Sequence, residues 1–474
     1  MSALRSSFLE DSLRFLGPDP ENWVPAQDGV DHDVAIIGAG QSGVSMAFAL
    51  RRAGIGNVTV IDAAAEGDEG IWVNRAHMNG LRTPKLNLGP ELGIPTLAFQ
   101  AWFEERWGRD AFEDLKSIRR TDWADYLRWL RQVLNIRPRW ETSLIAVEPD
   151  GERLRLVLRR NGEETVEVVR KLVLATGIVG AGARNIPSLV SDALPSDRYA
   201  HSYSTLPQEK FSGARIAVLG AASSAFDVAA TALEAGAKEV HLFCRREDLA
   251  RSSPLKNSGF AGFEFFFHLP DELKWRYVGA ARARGPFPTP PVVARATRFE
   301  NFHLHLASPW DAVSFQDGEI RIRAGGRDFS FDFVLLGTGF ITDLSLRPEL
   351  SRVASAIATW GDRYPSWIES DPALSRFPYL SAGYELTEKH PGKAPCLRNI
   401  YCFNLAAQLS FGRLHGDVAS LRAGIPRVVQ AIASSFFTVD QEHHLARLSA
   451  PVAADLDREI YARSLRSAPI PANA

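Results

Sequence analysis

The stretch Asp33-Val-Ala-Ile-Ile-Gly-Ala-Gly-Gln-Ser-Gly43 constrains the fold more than any other. Val34 to Ile37 are apolar without alternation, as expected of a parallel strand covered on both faces. Then Gly38-Ala39-Gly40-Gln41-Ser42-Gly43 spells G-x-G-x-x-G. The first Gly permits a sharp turn. The second lets a pyrophosphate approach the backbone, and the third lets the helix from Val44 to Arg52 pack close. The helix N–H groups and dipole then hold the phosphates. A second strand, Val58 to Ile61, ends at Asp62, whose carboxylate can accept from both ribose hydroxyls. With a strand before, a helix after and an acid ~20 residues on, the motif specifies a dinucleotide-binding unit.

The 474 residues suffice for two or three domains at ~150 each. A net charge of -2 argues against a nucleic-acid partner. No run of 18 apolar residues predicts a membrane span. Met1 to Glu21 mixes Arg5, Glu10, Asp11 and Arg14 among Leu and Phe, which reads as a short amphipathic helix rather than a signal peptide. Cys244, Cys396 and Cys402 form no CxxC pair and no metal spacing. A reducing, cytoplasmic setting without disulfides or metal is expected.

After Asp62 a long segment runs through Glu69-Gly-Ile-Trp72, Gly80-Leu-Arg-Thr-Pro-Lys85 and Leu92-Gly-Ile-Pro-Thr96. Long loops in compact domains are usually functional, though a plain surface excursion fits the residues too. Thr121 to Leu134 has helical periodicity through Trp123, Tyr126, Leu130 and Val133, with Thr121 or Asp122 able to cap it. Strands follow at 143–148, 154–158 and 165–169, the last two joined by the turn Arg159-Arg-Asn-Gly162. Lys171-Leu-Val-Leu-Ala-Thr-Gly177 is a further buried strand, ending in small residues that admit a ligand to the backbone. Pro187, Pro195 and Pro207 mark a linker, in which His201 reads as structural.

Then the opening pattern repeats. Arg215 to Gly220 is a strand, Ala221 to Ala225 a turn, Phe226 to Ala235 a helix, and Val240 to Phe243 a strand. Where the first unit ends in Asp62, the second ends in Cys244-Arg245-Arg246. Arg suits a 2′-phosphate through bidentate charge-assisted hydrogen bonds, so this unit is expected to hold NADPH rather than NADH. It departs from the glycine pattern: Ala222 and Ala225 replace Gly, with Ser223 and Ser224 between them, so Ala222 adds a methyl near the pyrophosphate.

Ser253-Pro-Leu-Lys-Asn257 is followed by Phe260, Phe263 and Phe265-Phe-Phe267, a cluster suited to a substrate cavity or to plain core. Residues 319–323 and 329–333 alternate like a hairpin and lead into Val334-Leu-Leu-Gly-Thr-Gly339. The late stretch through Arg413-Leu-His-Gly-Asp417 enters a helix at about Val418, whose N–H groups could face an electron-rich ring edge.

Two dinucleotide units, each paired with a strand ending in Ala-Thr-Gly or Gly-Thr-Gly, resemble the class B flavin monooxygenases over roughly residues 30 to 425. The resemblance implies an α/β fold of two Rossmann-like dinucleotide-binding domains, for FAD and NADPH, with the NADPH domain inserted in the FAD domain. The expected boundaries are 1–205 and 331–474 for FAD and 206–330 for NADPH. By resemblance Gly38 to Gly43 and Asp62 bind FAD, Trp72 lies near the flavin and Val147 by the adenine. Ala175, Thr176 and Gly177 line the FAD phosphates. Gly220, Ala222, Ser223, Ser224, Arg245 and Arg246 bind NADPH, and Thr338 and Gly339 close over the cofactors.

Of the F-x-G-x-x-x-H fingerprint only His201 survives, because Pro195 and Asp197 replace the Phe and Gly. Ser253 to Asn257 instead looks like the S-P-F-x-N stretch of amine N-hydroxylases, and Leu414 to Asp417 like their late H-G turn. The resemblance thus implies catalytic roles for Asn257 and His415. It implies an NADPH- and FAD-dependent monooxygenase that captures O2 as a C4a-(hydro)peroxyflavin and N-hydroxylates a small amine. Baeyer–Villiger or sulfide oxygenation, an NADPH oxidase or flavin reductase, and a non-catalytic redox sensor stay open, as does a homo-oligomer. A disulfide reductase of the thioredoxin-reductase kind lacks its CxxC here.

Overall fold

The computed structural model describes residues 13–253, 261–413 and 415–466. Asn257, with Pro254 to Phe260 around it, lies outside the described residues, as do Leu414 and the N-terminal segment 1–12.

The apolar run Val34 to Ile37 sits in β1 (His32–Ile37), parallel to β2 (Val58–Ile61). After the helix Arg120–Val133, the chain forms β3 (Thr142–Asp150), β4 (Arg153–Arg160) and β5 (Glu163–Leu174). β5 does two jobs. Its first half pairs antiparallel with β4, and its buried second half pairs parallel with β1. The expected caps of the helix are unused, because Arg119 takes Asp122 in a two-pronged hydrogen bond of 2.7 and 2.9 Å.

β6 (Gly182–Arg184) leaves this sheet, and β7 (Tyr199–His201) opens a second one. There β8 (Arg215–Leu219), β9 (Glu239–Phe243) and β10 (Phe302–His305) run parallel. A three-stranded meander follows: β11 (Trp310–Gln316), β12 (Glu319–Ala324) and β13 (Arg327–Phe331). β14 (Phe333–Leu336) then slots between β8 and β7, giving the order β10-β9-β8-β14-β7. β15 (Phe340–Thr342) pairs with β6, and β16 (Ile400–Cys402) returns to the first sheet beside β5. The second unit is therefore inserted in the first, as expected. The expected boundaries at 205/206 and 330/331 fall inside its sheet, because β7 and β14 join from either side.

Each sheet builds its own core. Val34, Ile36, Leu172 and Leu174 anchor the first, with Phe403, Ile425 and Ile432 packed around them. Ile216, Val218, Phe226, Val240 and Leu242 anchor the second, under the helix Ser223–Glu234. The helix Val418–Val439 lies against the helix Gln41–Arg52, which brings the turn before Val418 next to the first glycine motif.

Candidate cofactor and active site

Three glycines at the end of β1 have three different jobs. Gly38 sits at φ +107°, and a Cβ there would overlap the Ala175 carbonyl. A Cβ on Gly43 would overlap the Gly38 carbonyl oxygen, so the helix approaches its own turn at backbone distance. Gly40 is different: a Cβ there would meet only Gly70 Cα, at 3.7 Å. The space over Gly40 is thus not used by the protein itself. It opens into a cavity of about 520 Å³.

Asp62 closes the strand end over that turn. One carboxylate oxygen accepts from the Ala39 N–H at 2.7 Å and the other from the Ala64 N–H at 2.8 Å. A carboxylate keeps further lone pairs beyond these, so it can still accept hydroxyls. Across the cavity, Ala175, Thr176 and Gly177 continue from β5, with Gly177 at φ +65°. Asn404 donates to the Thr176 hydroxyl at 3.1 Å and fixes that side chain.

The far wall is the turn that ends in Asp417. Gln41 Nε2 donates to the Gly416 carbonyl at 2.7 Å, while Gln41 Oε1 accepts from the Trp123 indole at 3.1 Å. Trp72 packs edge-on to Trp123, with centroids 6.3 Å apart. The segment 69–96 is thus no surface excursion: Trp72, Arg75 and Thr83 line the cavity. Its Arg82 pairs with the buried Asp227 of the second unit, where Arg295 also lies, 3.4 Å away.

His415 lines the cavity but has no free nitrogen. Its Nδ1 is 2.9 Å from the Arg413 carbonyl, which can only accept, so Nδ1 carries the proton. Its Nε2 then accepts from the Tyr384 hydroxyl at 2.8 Å. Burial holds the imidazole down to about 3 and pushes the Tyr384 phenol up. His415 is neutral and fixed, and it positions the turn rather than exchanging protons. Asp417 accepts from the Ser420 N–H at 2.8 Å, capping the helix Val418–Val439 with its own side chain. Burial raises its carboxyl above the usual range.

The other expected residues are placed as follows. Val147 is fully buried in the core, and Thr142, Ser143 and Leu144 present that strand to the cavity instead. Thr338 donates through its hydroxyl to the Asn185 carbonyl, and Gly339 accepts from Asn185 N at 3.0 Å. Neither lines the 520 Å³ cavity. His201 Nε2 donates to Gly339 at 2.9 Å and its Nδ1 accepts from Tyr203 N at 3.2 Å, a structural role.

In the second unit Gly220, at φ +120°, approaches the Gly337 carbonyl as Gly38 approaches Ala175. Ala225 replaces the third Gly because the facing residue is Gly337, whose missing side chain leaves the room. Ala222 is the N-cap of the helix, and the Ser223 hydroxyl accepts from Thr289 N at 3.2 Å, while Ser224 is half-buried. Arg245 is exposed. Arg246 instead donates to the Ala283 and Arg284 carbonyls, both at 3.1 Å, capping the helix Asp271–Arg284.

Sequence reasoning missed Arg75, Tyr203, Arg347 and Glu349, which line the cavity from three separate segments. It also missed Tyr384. No local pattern marks any of them.

Comparison with known proteins fits this geometry. Residues 32–261 match the pyridine nucleotide-disulphide oxidoreductase family. The FAD-dependent urate hydroxylase of Xanthomonas campestris pv. campestris is 37% identical over 445 residues, 92% of this chain and 93% of that one. Among solved structures, ornithine hydroxylase from Pseudomonas aeruginosa superposes with a TM-score of 0.66 at 17% identity, over 85% of this chain and 99% of that one. L-lysine 6-monooxygenase from Pseudomonas syringae gives 0.63 at 20% identity, over 86% and 99%. These two share the fold. No helix among the described residues is long and apolar enough to cross a membrane.

Proposed function

Because the chain belongs to the family of the FAD-dependent urate hydroxylase, we propose that it hydroxylates a small, flat, nitrogen-rich heterocycle of the urate class. FAD is the resident cofactor of this reading, and NADPH the reductant. The observation that supports it most is the open backbone over Gly40, where a Cβ would meet no other part of the protein closer than 3.7 Å, inside a motif conforming to a dinucleotide site.

The residues fit FAD. Gly38 to Gly43 and the following helix offer N–H groups to the pyrophosphate, and Asp62 offers lone pairs to a ribose. When bound and reduced, FAD supplies the electrons that let O2 deliver one oxygen atom to the substrate while the other leaves as water. The chain's task is to orient and to keep water out. Gln41 ties the Gly416 turn to the helix start at 2.7 Å, and Trp72 and Val418 present apolar surface to the cavity. Arg75, whose guanidinium lies 5.7 Å from the Tyr203 ring centroid, supplies a positive charge at the cavity wall. An acidic heterocycle gains from that charge, and the Glu349 carboxylate on the same wall is paired with Arg347 at 2.7 Å. Arg245, exposed beyond the end of β9, is the partner that this reading gives the 2′-phosphate, with Arg246 held beside it by the Ala283 and Arg284 carbonyls.

Amine N-hydroxylation is the second reading, favoured by the Ser253-Pro-Leu-Lys-Asn257 sequence. One experiment separates the two. The FAD-loaded protein is given NADPH and O2 with urate, or with ornithine, lysine or cadaverine, and NADPH oxidation and product are followed together. Urate-stimulated oxidation with a hydroxylated product is expected. Stimulation by an amine, with hydroxylamine formed, would replace the first reading by the second. Oxidation that no substrate stimulates, with peroxide released, would return the protein to the oxidase class.

A further inference from the structure

We propose that Glu239, His241 and His303 form a binding site for a divalent transition metal of the Zn²⁺ class, at the edge of the second sheet. The parallel register of β9 and β10 sets His303 directly beside His241. Glu239 precedes His241 by two positions, so it faces the same side of the sheet. One donor atom from each residue lies within 4.8 Å of the others. Around a tetrahedral ion with bonds of ~2 Å, donors stand about 3.3 Å apart, so a small closure completes the set. Two imidazoles and a carboxylate select borderline metals over Mg²⁺ or Ca²⁺.

A second observation points into the same space. His241 Nε2 is buried and makes no hydrogen bond, with Glu239 Oε2 the nearby acceptor at 3.5 Å. On the other side of the ring, His241 Nδ1 is 2.9 Å from His305 Nε2. Metal binding at Nε2 takes the tautomer with the proton on Nδ1, donated to His305 Nε2 as the outer partner of a ligating histidine; His305 Nδ1–H then turns toward Arg327, whose 3.5 Å contact opens. The cations nearby are held elsewhere: Arg215, beside Glu239 on β8, is bound by Asp332 at 2.7 Å and Glu319 at 3.0 Å. Arg327 lies on the far nitrogen of His305, at 3.5 Å.

An ion here would pin the edge strand β10 to β9. The same two segments continue into the Arg245–Arg246 turn, where Cys244 N donates to the His305 carbonyl and Ala307 N to the Arg246 carbonyl, both at 2.8 Å. The site would therefore stiffen the strand end offered to the nucleotide.

The test uses the full-length, FAD-loaded protein and Zn²⁺ alone, by calorimetric titration with metal analysis after gel filtration. One equivalent should bind saturably and raise the thermal midpoint by a few degrees at a hundredfold excess over Kd. His303→Asn, on the exposed edge, and Glu239→Gln should each weaken binding at least tenfold while FAD content stays unchanged. His390→Asn, outside the cluster, should bind as wild type does. No saturable binding by the wild-type protein, or wild-type affinity in His303→Asn, would overturn the proposal.

Discussion

Gly40→Ala separates folding from cofactor binding. The added Cβ would meet only Gly70 Cα at 3.7 Å, ordinary van der Waals contact, and Gly40 has φ -69° and ψ -172°, which any residue adopts. The remaining cost to the protein is that of Ala as an N-cap in place of Gly, about 1 kcal/mol or less. The cofactor side is harsher. A methyl over the turn holds a pyrophosphate away from the backbone N–H groups and loses one or two charge-assisted hydrogen bonds. At roughly 2 kcal/mol each, that is about 2–4 kcal/mol, or a 30- to 700-fold rise in the Kd for FAD. Calorimetric titration of the apoprotein with FAD reads the second quantity, and urea unfolding of the same apoprotein reads the first. Gly43→Ala is the contrast, since its Cβ would overlap the Gly38 carbonyl and should disrupt folding itself. Wild-type FAD affinity in Gly40→Ala, or a loss of apoprotein stability as large as that of Gly43→Ala, would refute the assignment of this turn.

Four further outcomes follow from the geometry. Arg245→Ala should raise the KM for NADPH at least about tenfold and leave that for NADH unchanged, as expected for a lost phosphate contact worth ~1.4 kcal/mol. Equal KM changes for both nucleotides would sink the 2′-phosphate reading. Arg246→Ala should instead lower the thermal midpoint, because it uncaps the carbonyls of Ala283 and Arg284. Tyr384→Phe leaves His415 Nε2 buried without a donor and should cost about 1–3 kcal/mol in urea unfolding. A change near zero would show that the pair is not formed. Burial holds Lys171 down to about 8 from its ordinary 10.5, while its ammonium donates to Asn399 and Ser435, each at 2.6 Å. Between those two values the unfolded chain keeps a proton that the folded chain has released. Stability should therefore rise with pH across that window, by up to about 1.4 kcal/mol per unit. Lys171→Met should abolish the rise, and identical pH profiles for the two proteins would contradict the burial argument.

The parts of the site that could be read from the chain are those built by neighbours in sequence. The run Val34 to Ile37, the glycines after it and Asp62 act within one strand-turn-helix-strand unit, so spacing reports their geometry. The same holds for Gly220 and the strand before it. What could not be read is made by contacts across the chain. Ala225 looks like a defect in the motif until Gly337 is seen opposite it. Arg246 looks like the twin of Arg245 until the end of the helix Asp271–Arg284 arrives to be capped. His415 looks like a proton carrier until Tyr384 and the Arg413 carbonyl occupy both its nitrogens. Membership of β7 and β14 in one sheet is equally invisible, since the strands have only three and four residues and could pair at several edges.

The slotting of β14 between β8 and β7 bears on biosynthesis. While the chain is being made, β8, β9 and β10 emerge without the strand that joins them to β7. The first sheet waits longer still, because β16, which lies on β5, begins only at Ile400. N-terminal domains usually fold as units during synthesis, but here neither sheet can close until most of the chain has left the ribosome. The nascent protein thus exposes unpaired parallel edges, the kind of surface that chaperones must shield. Cutting the gene near residue 330 would not yield two independent domains. It would yield two fragments, each holding strands that the other needs.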